Sequence, residues 1–454
     1  MPWKGSISQV FCVKSGGQGQ VKLGTLEKLL DMFAGGGSLP LEVLRLGCEA
    51  YASDLNPVAH TIELCTLVYP QKYGSSLVAD VKKWGEWVIE RARTQLIEFY
   101  PAPQSQQHID NDIVQSTLTG GHSAIQNGVL TPIAYLWTRT VPCPNPTCGA
   151  TVPLARQTWL RKKEGNYIAL RMTPDHDTKK VRFEKVQSPT LQGLGFDPEA
   201  GSRRGSTACQ HCGATVNSEY VKQQGRAGNM KQQLIAVVAT KQDDKGKTYL
   251  DVTHLPTWIQ PEGYIQQRIV DICHNEHLTL PEESLPKEDG KNFWTIEYGL
   301  TRFVDLFTPR QLLVLLTFTS EVHQAYSAML ETGIDDGRAL AITSYLGLLV
   351  DRIADRNSTI CRWDNAYEKT SNTFARQALP MVWDFSEVNP FGGSSGSASG
   401  ALNWILEVIQ FVSKIGQPSH VYRASANQLP LEEDMLDAVI TDPPYYDNVS
   451  YAVM

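Results

Sequence analysis

The segment LEKLLDMFAGGGSLPLEVLRLGCEAYASDLNP, near the start of the chain, constrains the fold most strongly. A short apolar strand ends near Met32, three glycines follow, and a helix with one apolar side leads to a second strand that closes at Asp54. Glycine gives the backbone access to positive φ angles and allows a ligand to approach closely. Strand, glycine turn, helix and strand in this order predict the opening of a doubly wound α/β sheet.

The far end of the chain carries elements that suit the same sheet. Residues from Ala401 to Ile415 form an apolar-faced helical pattern, and SHVYRASA and LDAVITDPP have the composition of strands. We therefore expect residues 1–70 and 401–454 to form the two parts of one α/β domain. A long insert would separate them, and its expected sections are a helical connector over 71–130, a cysteine-containing ribbon over 131–255 and a mostly helical part over 256–400, where Thr308 and Pro309 begin a helix.

The glycine turn supplies a candidate cofactor site. Its residues are Asp31, Phe33, Gly35 and Gly37, and Asp54 at the end of the next strand offers a carboxylate that suits ribose hydroxyls. The pattern Asp-x-Phe-x-Gly-x-Gly resembles the S-adenosylmethionine motif of amino-methylating DNA methyltransferases. The third glycine of the dinucleotide fingerprint would fall at Pro40, which disfavours NAD. A plain tight turn is the alternative.

The tetrad DPPY follows the predicted last strand and supplies candidate catalytic residues: Asp442, Pro443, Pro444 and Tyr445. Ligands of open α/β sheets bind at the carboxyl ends of the strands, where the tetrad would lie. Asp442 and the carbonyl of Pro443 can accept hydrogen bonds from a planar amine, so that its lone pair is directed at a methyl donor. Tyr445 can stack on an extruded base. The alternative is a proline turn that merely ends a strand.

Two cysteine pairs, Cys143 with Cys148 and Cys209 with Cys212, each precede Gly-Ala. Four thiolates of this kind predict a closed structural zinc site, although the gap between the pairs is longer than usual. His211 is a possible substitute ligand. Pro142-Cys143 also resembles the nucleophile of cytosine carbon-5 methyltransferases, but the ligand-spaced partner Cys148 favours the metal.

Together with the motifs FARQALPMVWDF and NPFGGSSGS, these features resemble a family of prokaryotic adenine-specific DNA methylases that contain a zinc ribbon. The resemblance implies a Rossmann-like, S-adenosylmethionine-dependent methyltransferase sheet that acts on the amino group of adenine in DNA. The insert would hold the target-recognition region, and the setting would be DNA modification or defence against foreign DNA. Family members extend further at both ends, so we expect a truncated chain whose sheet is completed by a missing segment or a partner chain.

Composition predicts a cytoplasmic protein, and the distribution of charge is compatible with a nucleic-acid partner although the net charge is negative. No run of 18 apolar residues is present and the first residues lack the pattern of a signal peptide, which predicts a cytoplasmic location without membrane insertion. The chain has a net charge of −7, yet between Arg156 and Lys247 it contains 17 lysines and arginines against 9 aspartates and glutamates. A basic segment of this kind suits contact with DNA phosphates. A solvated surface of long basic side chains is the alternative.

Other acceptors and roles stay open at this stage. The tetrad suits the amino group of cytosine, an RNA base or a glutamine side chain as well as it suits adenine. A chain that binds DNA through the basic insert without catalysis is a further alternative. The recognition sequence and the oligomeric state are not predicted by any of these patterns.

Overall fold

The computed structural model describes residues 27–100, 130–203, 205–241, 246–250, 252, 261–286, 293–375 and 378–443. It confirms the predicted mixed α/β class, with several separate sheets. The strands are β1 Lys28–Asp31, β2 Glu49–Asp54, β3 Leu130–Pro142, β4 Thr151–Pro153, β5 Trp159–Lys163, β6 Asn166–Asp175, β7 Lys180–Ser188, β8 Thr207–Ala208, β9 Thr215–Val216, β10 Lys231–Lys241, β11 Lys247–Leu250, β12 Trp363–Asp364, β13 Lys369–Thr370, β14 Asp384–Val388, β15 His420–Arg423 and β16 Ala438–Val439.

The α-helices are α1 Ser38–Arg45, α2 Pro57–Glu63, α3 Tyr69–Tyr73, α4 Ser76–Leu96, α5 Ser218–Arg226, α6 Glu262–Asn275, α7 Pro309–Glu331, α8 Asp336–Arg356 and α9 Ala398–Val412. A π-helical turn, Leu64–Val68, joins α2 to α3. Short 3₁₀ helices are found at Ile97–Phe99, Gln192–Leu194, Trp294–Tyr298 and Phe303–Leu306.

The chain divides into two compact units, which we describe separately. The first contains Met1–Gly85, Tyr326–Leu346 and Asn403–Met454, and the second contains Glu86–Ala325 and Gly347–Leu402. Within the described residues, no helix is both long enough and apolar enough to span a bilayer.

The first unit is built on a four-stranded parallel sheet in the order β15-β2-β1-β16. The expected common sheet of the two chain ends is therefore present. Leu29 of β1 aligns with Ala50 on one side and with Ala438 on the other. Leu44 of α1 and Leu67 of the π-turn pack with Ala50 and Ala52 in one buried cluster, so burial of apolar surface holds the helices on the sheet.

The second unit is dominated by antiparallel strands. A five-stranded sheet has the order β11-β10-β3-β14, with β4 also paired to β3, and a separate three-stranded sheet has the order β5-β6-β7. Because β14 pairs with β3, the predicted ribbon section over 131–255 and the predicted helical section over 256–400 contribute strands to the same sheet. The hairpins β8-β9 and β12-β13 complete the described strands.

The predicted start of a helix at Thr308 and Pro309 is confirmed by reciprocal capping bonds. The Thr308 hydroxyl accepts the Gln311 N–H at 3.1 Å, and the Gln311 side-chain oxygen accepts the Thr308 N–H at 2.8 Å. Two donors that a helix start leaves unpaired are thereby satisfied. This fixes the first turn of α7 in the interior of the second unit, where both residues are buried.

Arg310, one residue into α7, forms a buried ion pair with Glu387 of β14. Its Nε and Nη2 donate to the two carboxylate oxygens at 2.6 and 2.9 Å, and its Nη1 donates to the Phe99 carbonyl at 3.1 Å. The guanidinium also lies 4.2 Å from the ring centre of Tyr135. Burial opposes the charge of Arg310, but the Glu387 carboxylate raises its pKa above the usual range. The ion pair joins α7 to the five-stranded sheet of the second unit.

We expect Arg310→Met to destabilise the protein by about 3–5 kcal/mol, because it leaves the Glu387 carboxylate buried without its partner. The double variant Arg310→Met, Glu387→Met should be more stable than this single variant, since no lone charge remains. Denaturant titration followed by circular dichroism measures both. The control is Arg302→Ala, whose side chain is 44% exposed and pairs with Glu282 and Asp305, each such surface pair contributing at most about 1 kcal/mol. Equal losses for Arg310→Met and Arg302→Ala would contradict a structural role for the buried pair.

Candidate functional site

The glycine turn lies at the carboxyl end of β1, between Asp31 and the start of α1. Gly35 and Gly37 have positive φ angles of +54° and +79°, a conformation that glycine adopts without steric cost. A Cβ at Gly37 would lie 3.0 Å from a methyl carbon of Leu67, so this glycine is required by packing. A Cβ at Gly35 would meet no atom within 4 Å. The backbone at Gly35 therefore borders open space.

Asp54, at the end of β2, holds the glycine turn in place. Its Oδ2 accepts the Gly35 N–H at 2.9 Å and its Oδ1 accepts the Asn56 N–H at 2.8 Å. The structure thus places Asp54 beside the glycine turn, so that one ligand could contact both. Each carboxylate oxygen can accept a second hydrogen bond from a ligand.

Asp31 connects the glycine turn to the strand that precedes the DPPY tetrad. Its buried carboxylate accepts the Phe33 N–H at 3.1 Å and the Thr441 hydroxyl at 2.8 Å. Burial raises the pKa of Asp31, and the nearby carboxylates of Asp54 and Asp442 raise it further, while the two hydrogen bonds oppose the shift. Negative charge is therefore concentrated at the carboxyl ends of β1 and β16.

The described part of the DPPY tetrad consists of Asp442 and Pro443, which are both exposed. Ile440 donates its N–H to the Leu30 carbonyl at 2.9 Å, and Thr441 bonds to Asp31. Asp442 is therefore placed at the carboxyl end of β16, directly after Thr441, the residue that contacts Asp31. Pro444 and Tyr445 lie outside the described residues.

Glu63 is a residue of this site that the sequence patterns did not indicate. It is fully buried at the end of α2, and both of its carboxylate oxygens lack a hydrogen-bond partner. Burial raises its pKa to about 8, and the carboxylates of Asp54 and Asp31 add to the shift. The His60 ring lies close by, with its Nδ1 3.9 Å from the Glu63 Oε2. Burial and then the positive charge of Arg423 lower the pKa of that histidine.

A π-helical turn begins at Leu64, directly after Glu63. Thr66 and Leu67 of this turn face Gly37, with the Thr66 hydroxyl 3.3 Å from where a Cβ of Gly37 would lie. Extra-wide turns of this kind are often found at functional sites. In the sequence, Glu63 lies between Ile62 and Leu64, and an acidic residue within an apolar stretch was the one signal available.

The four predicted zinc ligands meet in the second unit. The sulfur atoms of Cys143, Cys148, Cys209 and Cys212 all lie within 4.8 Å of one another. Cys143 and Cys212 are 3.6 Å apart, and Cys148 and Cys209 are 3.9 Å apart. A tetrahedral ion with metal–sulfur bonds of about 2.3 Å places its ligands roughly 3.8 Å apart. The cluster is compatible with a structural zinc ion.

Two similar hairpins present these cysteines. The first hairpin extends from β3 to β4 and the second from β8 to β9, and in each one the first cysteine donates its N–H to the alanine of the following Gly-Ala, at 2.8 and 2.9 Å. Gly149 and Gly213 adopt φ angles of +63° and +74°. These turns direct the N–H groups of Ala150 and Ala214 at the sulfurs of Cys148 and Cys212.

The electrostatic environment of the cluster favours bound positive charge. The Ala214 N–H lowers the pKa of Cys212 to about 7, whereas burial raises the pKa of Cys143 to about 12. Four thiols this close cannot all ionise without a cation among them, and a metal ion would stabilise the thiolates. Cys143 is buried within the cluster, which does not suit an accessible nucleophile.

His211, the possible substitute ligand, is directed away from the four sulfurs. Its Nε2 lies 3.2 Å from the Lys180 carbonyl oxygen, and its ring meets that of His176 edge-on. Among the described cysteines outside the cluster, Cys65 and Cys361 are buried, and Cys48 and Cys273 are partly buried. Cys12 lies outside the described residues.

Comparison of this chain with protein-family models, with curated proteins and with solved structures finds no match.

We expect metal analysis of protein purified without chelators to give about one zinc ion per chain, because four thiolates form one closed site. Cys209→Ser should release the metal and lower the melting temperature, since each hairpin then loses its link to the other. Cys273→Ser, which removes a thiol outside the cluster, serves as the control. Full zinc content in Cys209→Ser would contradict the assignment of this cysteine as a ligand.

Glu63 predicts a specific dependence of stability on pH. Its pKa is 4.5 in ordinary surroundings and about 8 in the folded protein, so the folded chain keeps a proton that the unfolded chain releases. Between pH 4.5 and about pH 8, ionisation of Glu63 should therefore lower the free energy of unfolding by up to ~1.4 kcal/mol per pH unit. Glu63→Gln should remove this contribution from the slope.

Denaturant titrations at several pH values within the interval measure the slope. Glu42→Gln is the matched control, because Glu42 pairs with Arg45 at the exposed surface of the same unit. Burial lowers the pKa of His60, and because this residue is present in both proteins, the difference in slope between wild type and Glu63→Gln reports on the glutamate. An identical slope in both proteins would show that Glu63 is ionised in the folded state.

Proposed function

We propose that this chain is an S-adenosylmethionine-dependent methyltransferase that acts on the exocyclic amino group of adenine in DNA. The observation that carries the proposal is the meeting of the glycine turn, Asp54 and Asp442 at the carboxyl edge of one parallel sheet. The motifs that come together there are separated by most of the chain.

The strand order supports a Rossmann-like fold for the first unit. From β1 the chain continues to β2 and later to β15 on one side, whereas β16 pairs on the other side of β1. The order therefore reverses between β1 and β16, and such a switch point opens a crevice at the carboxyl ends of the strands. Both the glycine turn and Asp442 would border this crevice.

The charge of the site supports S-adenosylmethionine as the cofactor. The carboxylates of Asp54 and Asp442 are close enough to Asp31 to raise its pKa. These three aspartates suit a ligand with a sulfonium and an ammonium group and would repel the pyrophosphate of a dinucleotide. Glu63, which holds a proton in the folded protein, would ionise more readily beside such a cation. The segment DMFAGGGS contains no lysine or arginine that would offset this repulsion.

The residues can be assigned roles in the cofactor site. The open space at Gly35 admits the ligand against the backbone, and Asp54 can accept hydrogen bonds from ribose hydroxyls while it holds the turn. Asp31 would attract the positive charge of the amino acid part, and Glu63 would add to this attraction once ionised. Phe33, whose N–H is bound by Asp31, offers apolar surface beside the turn.

The DPPY tetrad supplies the chemistry at the acceptor. When bound, S-adenosylmethionine supplies an electrophilic methyl group. The Asp442 carboxylate and the Pro443 carbonyl accept hydrogen bonds from the acceptor amine, which releases the nitrogen lone pair from the ring and orients it for attack. Asp442 then takes up the proton that the nitrogen loses. Pro444 would hold the extended turn and Tyr445 would stack on the extruded base.

DNA is favoured as the acceptor by the basic segment between Arg156 and Lys247. The four-cysteine cluster lies within the same segment and would stabilise it when zinc is bound. The alternative acceptors are the amino group of cytosine, an RNA base and a glutamine side chain, and the experiment must distinguish adenine in DNA from each of them.

Cofactor binding is tested most cleanly at Gly35. Gly35→Asn keeps a residue that tolerates positive φ but places a side chain in the open space, and we expect it to weaken S-adenosylmethionine binding by at least roughly tenfold in calorimetry, ~1.4 kcal/mol. Gly47→Asn is the matched control, since Gly47 has a φ of +82° and open surroundings in an exposed turn after α1. Equal affinity in both variants, or no binding by wild type, would overturn the cofactor assignment.

The reaction is tested with radiolabelled cofactor offered together with DNA, RNA or protein in parallel. We expect transfer to adenine in DNA, and a loss of about 10²-fold or more in Asp442→Ala with cofactor binding retained, as for removal of a group that acts on the acceptor proton. Asp442→Asn keeps an accepting oxygen and should retain more activity than Asp442→Ala. Transfer confined to RNA or protein would reassign the acceptor, and undiminished transfer by Asp442→Ala would refute the mechanism.

A further inference from the structure

The second unit contains a cavity of about 1080 Å³ that the methyl-transfer site does not involve. Five tryptophans and a phenylalanine contribute to its wall: Trp137, Trp159, Trp294, Trp363, Trp383 and Phe385. Its volume lies slightly above the usual range for ligand pockets, about 300–1,000 Å³. An aromatic lining of this density is a stacking surface for planar ligands.

Hydrogen bonds and ring contacts fix most of these aromatic side chains. The Trp363 indole donates to the Leu160 carbonyl at 2.8 Å, and the Trp159 indole donates to Glu199 at 3.2 Å. Trp137 and Phe385 stack with their planes only 10° apart. Because the rings are held before any ligand arrives, little side-chain entropy is lost on binding.

Arginines give the cavity a positive component. Arg156, Arg203 and Arg362 all line it, and all three are exposed. Among the described residues, the side chains of Arg203 and Arg362 form neither an ion pair nor a hydrogen bond. A guanidinium that is not engaged within the protein is available to bind phosphate with paired hydrogen bonds.

Asp384 supplies an acceptor in the same wall. Its Oδ2 accepts the Arg156 N–H at 2.8 Å. Burial raises the pKa of this carboxyl to about 6, while the Arg156 N–H and the hydroxyl of the neighbouring Thr138, as hydrogen-bond donors, oppose the shift. A carboxylate offers about four acceptor positions, so an amino group on a ligand can be a further donor.

These features together specify a ligand with three properties: a planar aromatic body, an amino group and a phosphate. We propose that the cavity binds a nucleotide with an amino-bearing base, with the base stacked on the tryptophans and the phosphate held by Arg203 and Arg362. A methylated ammonium group would suit the aromatic rings but not the neighbouring arginines. The proposal does not depend on methyl transfer in the first unit.

The same chemistry is offered by a nucleotide within a single strand and by a free nucleotide, so both are used as probes. The full chain is titrated with short fluorescent single strands of oligo(dA) and oligo(dT), with a duplex, and with AMP in calorimetry. We expect the chain to bind oligo(dA) more tightly than oligo(dT), because thymine has no exocyclic amine for Asp384. Binding of AMP but not of either strand would support the cavity and identify the free nucleotide as its ligand.

Variants locate the binding in the cavity. Trp294→Ala, at a residue that is 53% exposed, should weaken binding roughly tenfold through lost stacking. Arg362→Ala should weaken it comparably and reduce the salt dependence by about 0.7 in the slope of log affinity against log salt, as expected for one lost phosphate contact on a single strand. Asp384→Asn should remove the preference for oligo(dA).

The controls are exposed residues of the same unit outside both the cavity and the basic segment, Arg302→Ala and Tyr367→Ala, which should leave binding unchanged. Circular dichroism and melting temperature confirm that each variant is folded, and Trp294 and Arg362 are exposed enough for substitution to be tolerated. The proposal is overturned if neither strand nor AMP binds, or if Trp294→Ala and Arg362→Ala bind as wild type does.

Discussion

The pairing of β1 with both β2 and β16 is the constraint on which the first unit depends. It places Thr441 within 2.8 Å of Asp31 across a sequence separation of 410 residues. Without this pairing, the glycine turn and the DPPY segment would have no common edge. The insert is compatible with it because the chain leaves the sheet after β2 and returns in β15, and these two strands are direct neighbours. A long excursion between adjacent strands leaves their hydrogen bonding intact, and the entropic cost of closing it grows only slowly with its length.

The same edge of the sheet concentrates carboxylates to an unusual degree. Asp31, Asp54 and Asp442 come from three different strand ends, and Glu63 comes from the helix that follows β2. Two of these groups are kept in place by backbone N–H donors, whereas Glu63 has none. The site thus combines oriented charge with one buried acid that would lose its proton most readily when a cation is beside it.

The sequence predicted correctly those features that are determined by residues close together in the chain. The glycine turn, the closure of β2 at Asp54, the cap at Thr308 and the two Cys-Gly-Ala hairpins each depend on residues within a few positions of one another. The features that were missed are contacts between distant segments. Arg310 and Glu387 are 77 residues apart, and the tryptophan cavity draws on β3, β5, β12 and the segment before β14. No periodicity marks such partners, and Glu63 became distinctive only once its burial and its lack of hydrogen bonds were known.

The strand order of the parallel sheet has a consequence for the biosynthesis of the protein. Ribosomes add roughly 5–20 residues per second, so β1 exists for tens of seconds before β16 has been made. During that interval one side of β1 presents unpaired N–H and C=O groups, the type of edge that recruits other strands. Strands β3 to β14 are complete before β15 and β16 emerge. The second unit can therefore fold before the first unit has received its last two strands. Chaperone dependence and aggregation of the newly made chain should thus arise at the open edge of β1.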